Sequence, residues 1–112
     1  MLIPKTKNLR DSRHLDFIRS LPCCCCGKSS EPSQAAHVRL GNGGGMGLKP
    51  GDQFTIPMCA GCHHSQHQKG ERAFWGDVRK PSELANALFY HTGEIDLAIE
   101  YIVRFRRAIH NR

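Results

Sequence analysis

The sequence predicts an α+β fold: a short strand–strand–helix unit stapled by two pairs of cysteines, with helices flanking it at both ends. Three observations predict it. Cys23-x-x-Cys26 and Cys59-x-x-Cys62 are two turns, each offering a pair of thiols to one tetrahedral metal. Between them lie two short β-prone runs, 35–40 and 54–57, separated by a glycine-rich stretch over 41–47. Outside them, apolar residues recur at helical spacing towards both termini.

At 112 residues the chain supports one hydrophobic core. Residues 1–112 are therefore read as a single domain, with a motif core over about 22–75 and helical extensions over 1–21 and 76–112. Eleven glycines and six prolines imply a loop-rich fold, and so small a core calls for a staple. With a mean hydropathy of −0.46 and no apolar run long enough to cross a bilayer, no membrane partner is expected. The segment from Met1 to Arg13 lacks the apolar stretch of a secretory signal, so a cytoplasmic location is expected. In that reducing compartment the cysteines are read as metal ligands rather than disulfides.

Taken in order, Ser12 is the expected cap of a first helix that places Leu15, Ile18 and Leu21 on one face and ends before Pro22. A cysteine turn follows over 23–30. The runs 35–40 and 54–57 form a hairpin around the glycine stretch. Cys59-Ala60-Gly61-Cys62 then turns into a polar helix from His63 to Lys69, stopped by Gly70. Phe74 and Trp75 are assigned to the core. Ser82 caps a helix running to about Tyr90, and Gly93 breaks it. Ile95, Ile99, Ile102, Phe105 and Ile109 mark the last helix, with their stripe assigned to the interior.

Sixteen Lys and Arg against ten Asp and Glu leave a net charge of +6, which points to an anionic partner. The excess is steepest over residues 1–50, a distribution that suits a polyphosphate backbone. A phosphate-loop ATPase is excluded on two counts. Lys49 is followed by Pro50 where Ser or Thr is required, and Pro22 stands where the loop preceding Gly27-Lys28-Ser29 needs glycine.

Four thiolates from Cys23, Cys26, Cys59 and Cys62 would close the coordination shell of a structural zinc ion and leave no position for substrate. The run Cys23 to Cys26 allows more than one ligand register, and Gly27 favours its outer pair. Chemistry must then come from the histidines. His63 and His67 stand four residues apart, so on a helix both imidazoles share a face and can hold a second divalent ion. His37, on the preceding strand, would face that helix across a common cleft.

This constellation resembles the HNH endonucleases, of the His-Me finger or ββα-metal class, and especially the small zinc-bearing members common in phages and prophages. The resemblance covers about residues 22–75 and rests on Cys23 to Gly27, His37, and Cys59 to His63 with His67. It implies DNA as the partner, His37 as the general base that activates water, and His63 with His67 as holders of a catalytic Mg²⁺ or Mn²⁺. Two departures stand out. Many members carry His or Asp as a metal ligand immediately before the base, where this chain has Ala36. The middle Asn of the pattern has no plain equivalent; Asp52, Gln53 and Asn42 are candidates to orient His37 or complete the metal shell, with Asp52 favoured.

Arg39 follows His37 by two residues, so on a strand both face the same way and the guanidinium is expected to clamp a phosphate. Lys49, Lys69 and Arg72 flank the cleft as further backbone contacts. Two other functions compete: a non-catalytic zinc-ribbon module that binds nucleic acid, and an adaptor whose terminal helices bind a phage or host protein.

Overall fold

The computed structural model describes residues 9–39, 50–77 and 79–110, so the expected glycine loop lies outside the described residues. The first helix, α1 (Ser12–Arg19), is capped one residue earlier than Ser12. Asp11 is extended, and its carboxylate accepts the amide of His14 at 3.0 Å. An aspartate there satisfies an orphan amide and also favours the positive end of the helix dipole. Ile18 and Leu21 are buried as expected, but the third fully buried side chain of the face is His14, while Leu15 is half-buried.

Strands β1 (Gln34–His37) and β2 (Thr55–Met58) pair antiparallel, with Gln34 opposite Met58 and His37 opposite Thr55. Both are displaced by one residue from the expected runs, and β1 is also shorter. One further bond, from Val38 N–H to Phe54 O at 2.7 Å, extends the pairing beyond His37. Along residues 36–39, Ala36 and Val38 are buried while His37 and Arg39 lie half-buried on the opposite face. Pro57 sits inside β2, where its missing N–H is tolerated because a two-stranded sheet has only edge strands. The carbonyl of Pro57 accepts Cys24 N–H at 2.9 Å, so the first cysteine turn covers the end of β2.

Helix α2 (Ala60–Lys69) starts three residues before His63 because Cys59 itself is the cap; its sulfur accepts Cys62 N–H at 3.5 Å. Gly70 ends it with a left-handed φ of +87°. A short helix not anticipated from the sequence, α3 (Glu71–Trp75), follows and ends at Gly76, φ +78°.

Helix α4 (Arg79–Tyr90) begins three residues before Ser82. Asp77 starts it, taking Arg79 N–H on its carboxylate at 3.0 Å and Lys80 N–H on its carbonyl at 3.2 Å. Pro81 then falls in the first turn, where no intrahelical donor is needed. Gly93, φ +90°, separates α4 from α5 (Ile95–His110).

The core gathers Ile18, Ile56, Met58, Trp75, Leu88, Ile102 and Phe105 from every layer, with Cys23 and Cys24 fully buried among them. The α5 stripe is interior only in its second half. Its buried line runs through Ala98, Ile102 and Phe105, with Ile109 packed against it, whereas Ile95 is 50% exposed and Ile99 37%. Ile99, one residue on from buried Ala98, falls about 100° round the helix and so outside that line. Among the described residues, no helix is long and apolar enough to cross a membrane.

Candidate metal centre and histidine cleft

The first cysteine turn depends on Gly27, whose φ of +81° only glycine adopts without strain. The reversal lets Gly27 N–H reach Cys23 O at 3.0 Å and turns the Cys25 amide onto Cys23 Sγ at 3.4 Å. The second turn is the start of α2. Together they bring the sulfurs of Cys23, Cys26, Cys59 and Cys62 to within 4.8 Å of one another. Cys26 and Cys59 Sγ stand 3.8 Å apart, and a tetrahedron with metal–sulfur bonds of about 2.3 Å has edges of about 3.8 Å. The donor set and its spacing thus fit a structural metal such as zinc. Cys24 and Cys25 lie outside this group of four and are buried in the core.

Protonation within the cluster is uneven. The hydrogen bond with the Cys25 side chain pulls the Cys23 thiol down to about 3; burial opposes this, and the amides of Cys26, Cys59 and Cys25 reinforce it. Cys62 moves the other way, pushed up first by burial and then by the Cys59 hydrogen bond and the charge of Cys23. Cys26 is pulled down by the Lys28 amide, but burial, Cys23 and Cys59 outweigh that and raise it. One thiolate makes its neighbours reluctant to ionise. A dication at the centre reverses this and draws off the remaining protons.

The second assembly is built on β1 and the segment leading to β2. His37 Nε2 lies 3.0 Å from Asp52 Oδ1, with the two side chains 13% and 4% exposed. Asp52 Oδ2 accepts the Asp11 amide at 2.8 Å, and Arg10 Nη1 stands 3.6 Å from Oδ1. Two more bonds pin the same strap: Asp52 N–H to Leu9 O at 2.8 Å, and Arg10 Nη1 to Pro50 O at 3.0 Å. Burial pushes the Asp52 carboxyl up, but the Asp11 amide, His37 and Arg10 outweigh it and hold the group below the usual carboxylate range. Of the three candidates for the middle position, Asp52 is thus bonded to His37, and Asn42 lies outside the described residues.

On α2, the rings of His63 and His67 lie 4.6 Å apart, centre to centre. His63 Nδ1 meets Gln34 Oε1 at 2.7 Å. An amide oxygen only accepts, so Nδ1 carries the proton and the lone pair of His63 sits on Nε2. Burial, followed by the charges of His67 and His37, holds the His63 pKa below its ordinary value, which keeps the imidazole neutral. That is the state a metal ligand requires. His67 and His37 are thus both near enough for their charges to act on His63.

Among the expected phosphate contacts, Lys69 ends α2 and Arg72 lies on α3, both exposed. The Arg39 amide donates to Glu71 Oε2 at 2.8 Å, tying the end of β1 to the start of α3. Lys49 lies outside the described residues. Ala36, at the position of the absent ligand, is 1% exposed and packs into the core. Sequence reasoning missed Gln34, Arg10, Asp11 and Glu71. Each acts across 29 or more residues of chain, so no local spacing announces them.

No solved structure matches this chain. It is similar to the uncharacterized protein YdfU of Escherichia coli (strain K12), 34% identical over 68 residues, which make up 60% of this chain and 19% of that protein. The shared part is therefore about a fifth of the relative's length. The family described as "Protein of unknown function (DUF968)" matches residues 1–78, a span holding both cysteine turns, the His37–Asp52 pair and the α2 histidines, and the chain belongs to that family.

Proposed function

We propose that the protein is a metal-dependent endonuclease of the HNH type that hydrolyses DNA phosphodiester bonds. The observation that carries this reading is the His37–Asp52 pair on β1 and the segment before β2, together with His63 and His67 side by side on α2. With its Nε2 proton held by Asp52, His37 has Nδ1 as its basic nitrogen, and Asp52 stabilises the imidazolium formed when His37 takes a proton from water.

His63 and His67 are the residues that would hold a divalent ion, Mg²⁺ or Mn²⁺. When bound, that ion supplies charge stabilisation at the phosphate and at the departing oxygen. Gln34 fixes the ring of His63 for that role by accepting a hydrogen bond from its Nδ1–H. Arg39, Lys69 and Arg72 supply contacts to the DNA backbone, in keeping with the net charge of +6. The four-cysteine site, read as zinc, holds the two pairs in register.

The test is supercoiled plasmid incubated with the purified protein and Mg²⁺, Mn²⁺ or EDTA, with His37→Ala alongside. We expect nicked or linear product only with metal, and a rate about 10²- to 10⁴-fold lower in the variant, with DNA binding and zinc content unchanged. A fully active variant removes His37 as the base. The absence of a ligand at Ala36 favours a second reading, a zinc-ribbon module that binds nucleic acid without cutting it. That reading predicts salt-sensitive binding and no cleavage with any metal.

A further inference from the structure

The last turns of α5 lie against the first cysteine turn, and they bring a cation and a hydrogen-bond donor to it. A methyl group built on Gly27 would stand 2.8 Å from Nη1 and 3.1 Å from Cζ of Arg106, so the guanidinium rests directly on the bare backbone of the turn. His110 Nε2 lies 2.9 Å from Cys25 O. A cavity of about 280 Å³ between the cysteine turns, α3 and α5 is lined by Cys26, Cys62, Trp75 and His110, which shows how close the end of α5 comes to the sulfurs. Among the described residues, no carboxylate pairs with Arg106.

We infer that Arg106 and His110 are positioning residues of the four-cysteine site: from outside the coordination shell, Arg106 compensates its charge and His110 holds its first turn, so that metal affinity depends on the docking of α5. Four thiolates around one dication carry two surplus negative charges, and with Cys23 buried and Cys59 and Cys62 half-buried, water screens that excess only in part. Arg106 supplies the opposite charge at the turn that carries Cys23 and Cys26. Gly27 thus serves twice, adopting the left-handed turn and leaving room for the guanidinium.

His110 acts through the peptide group. The Cys25 carbonyl it donates to belongs to the peptide group that joins Cys25 to the metal ligand Cys26. That bond fixes the orientation of the peptide, so His110 holds the turn that presents the Cys23 and Cys26 sulfurs to the metal. Outer partners of this kind typically change metal affinity by about 10- to 100-fold. The inference concerns the cysteine site alone and stands apart from whether the histidine cleft cuts DNA.

The experiment is competition between the full chain and a chromophoric chelator for zinc, and for cobalt, whose thiolate charge-transfer band reports four-sulfur ligation. The variants are Arg106→Lys, Arg106→Ala, Arg106→Glu and His110→Ala. Charge compensation predicts affinity in the order wild type, Lys, Ala, Glu, with at least about a tenfold loss for Ala, a smaller loss for His110→Ala, and an unchanged cobalt spectrum. If Arg106 only fills space, the long Glu side chain will rank above Ala. That order, or equal affinity in all the variants, overturns the inference. Should Arg106→Glu fail to fold even with excess zinc, Lys against Ala decides: equal affinities overturn the inference, and tighter binding by Lys supports it.

Discussion

His14 and His37 show one side chain put to two uses. His14 is fully buried on α1, its Nδ1 2.8 Å from Thr92 Oγ1 and its ring edge-on to Phe89 at 5.0 Å. Burial lowers its pKa below the ordinary 6.5, with Asp11 and Asp52 opposing in part. The unfolded chain therefore takes up a proton at a pH where the folded one still resists it. Stability is fully present above about pH 6.5 and falls as pH drops from there through the folded pKa. His14→Gln, which keeps a partner for Thr92 but does not titrate, is expected to lose less Tm between pH 7.5 and 5.5 than the wild type. Equal losses in parallel thermal melts would show that His14 does not contribute. His37 instead keeps a small exposed surface and is paired to a carboxylate. Asp52→Asn keeps an acceptor for the Asp11 amide but removes the charge that stabilises the imidazolium. Under the nuclease reading, its nicking rate at saturating DNA should fall by about 10²-fold or more, with DNA affinity unchanged. A wild-type rate would assign Asp52 to structure alone.

Among the elements, the caps decided what periodicity left open. The order of helices and strands follows from apolar spacing and from the glycines, and both were legible in the sequence. The starts were not, because Asp11, Cys59 and Asp77 each cap a helix ahead of its first apolar residue. Helix α3 was invisible for a related reason: five residues between Gly70 and Gly76 are less than two turns, too few for an apolar period to repeat. The site divides in the same way. The cysteine turns and the His63/His67 pair are local spacings and could be read directly, whereas the bond from Gln34 to His63 depends on how β1 docks on α2. Asp11 is the cap whose removal says most. Asp11→Ala should cost about 1 kcal/mol in urea denaturation through the lost bond to His14 N–H. The bond to Asp52 comes from the Asp11 backbone, so the His37–Asp52 pair should survive. A cost near zero would mean that α1 is held by packing alone.

For the whole molecule the question is what holds the two four-residue strands and five helices of the described residues in one fold. The two cysteine turns sit on opposite sides of the sheet in sequence, one before β1 and the other at the start of α2, and the amide of buried Cys24 ties the first to Pro57 O in β2. Without a metal, the four thiols meet only through weak S–H contacts and like-charge repulsion once one ionises. Structural zinc in small domains binds with a free energy on the order of 10 kcal/mol, comparable to the whole stability of a typical domain. Removing the metal should therefore unfold most of the chain rather than loosen one corner. The sequence provides a reporter: Trp75 is the single tryptophan, 4% exposed, packed on Phe74 at 4.9 Å and Phe105 at 5.5 Å, and it lines the cavity beside Cys26 and Cys62. Chelation of the zinc-loaded protein under reducing conditions is expected to shift Trp75 emission to the red together with loss of far-UV helical signal, in one transition, and added zinc should restore both. If the chelated protein keeps its blue emission and melts at the same temperature, the hydrophobic core suffices and the four cysteines are not the staple of this fold.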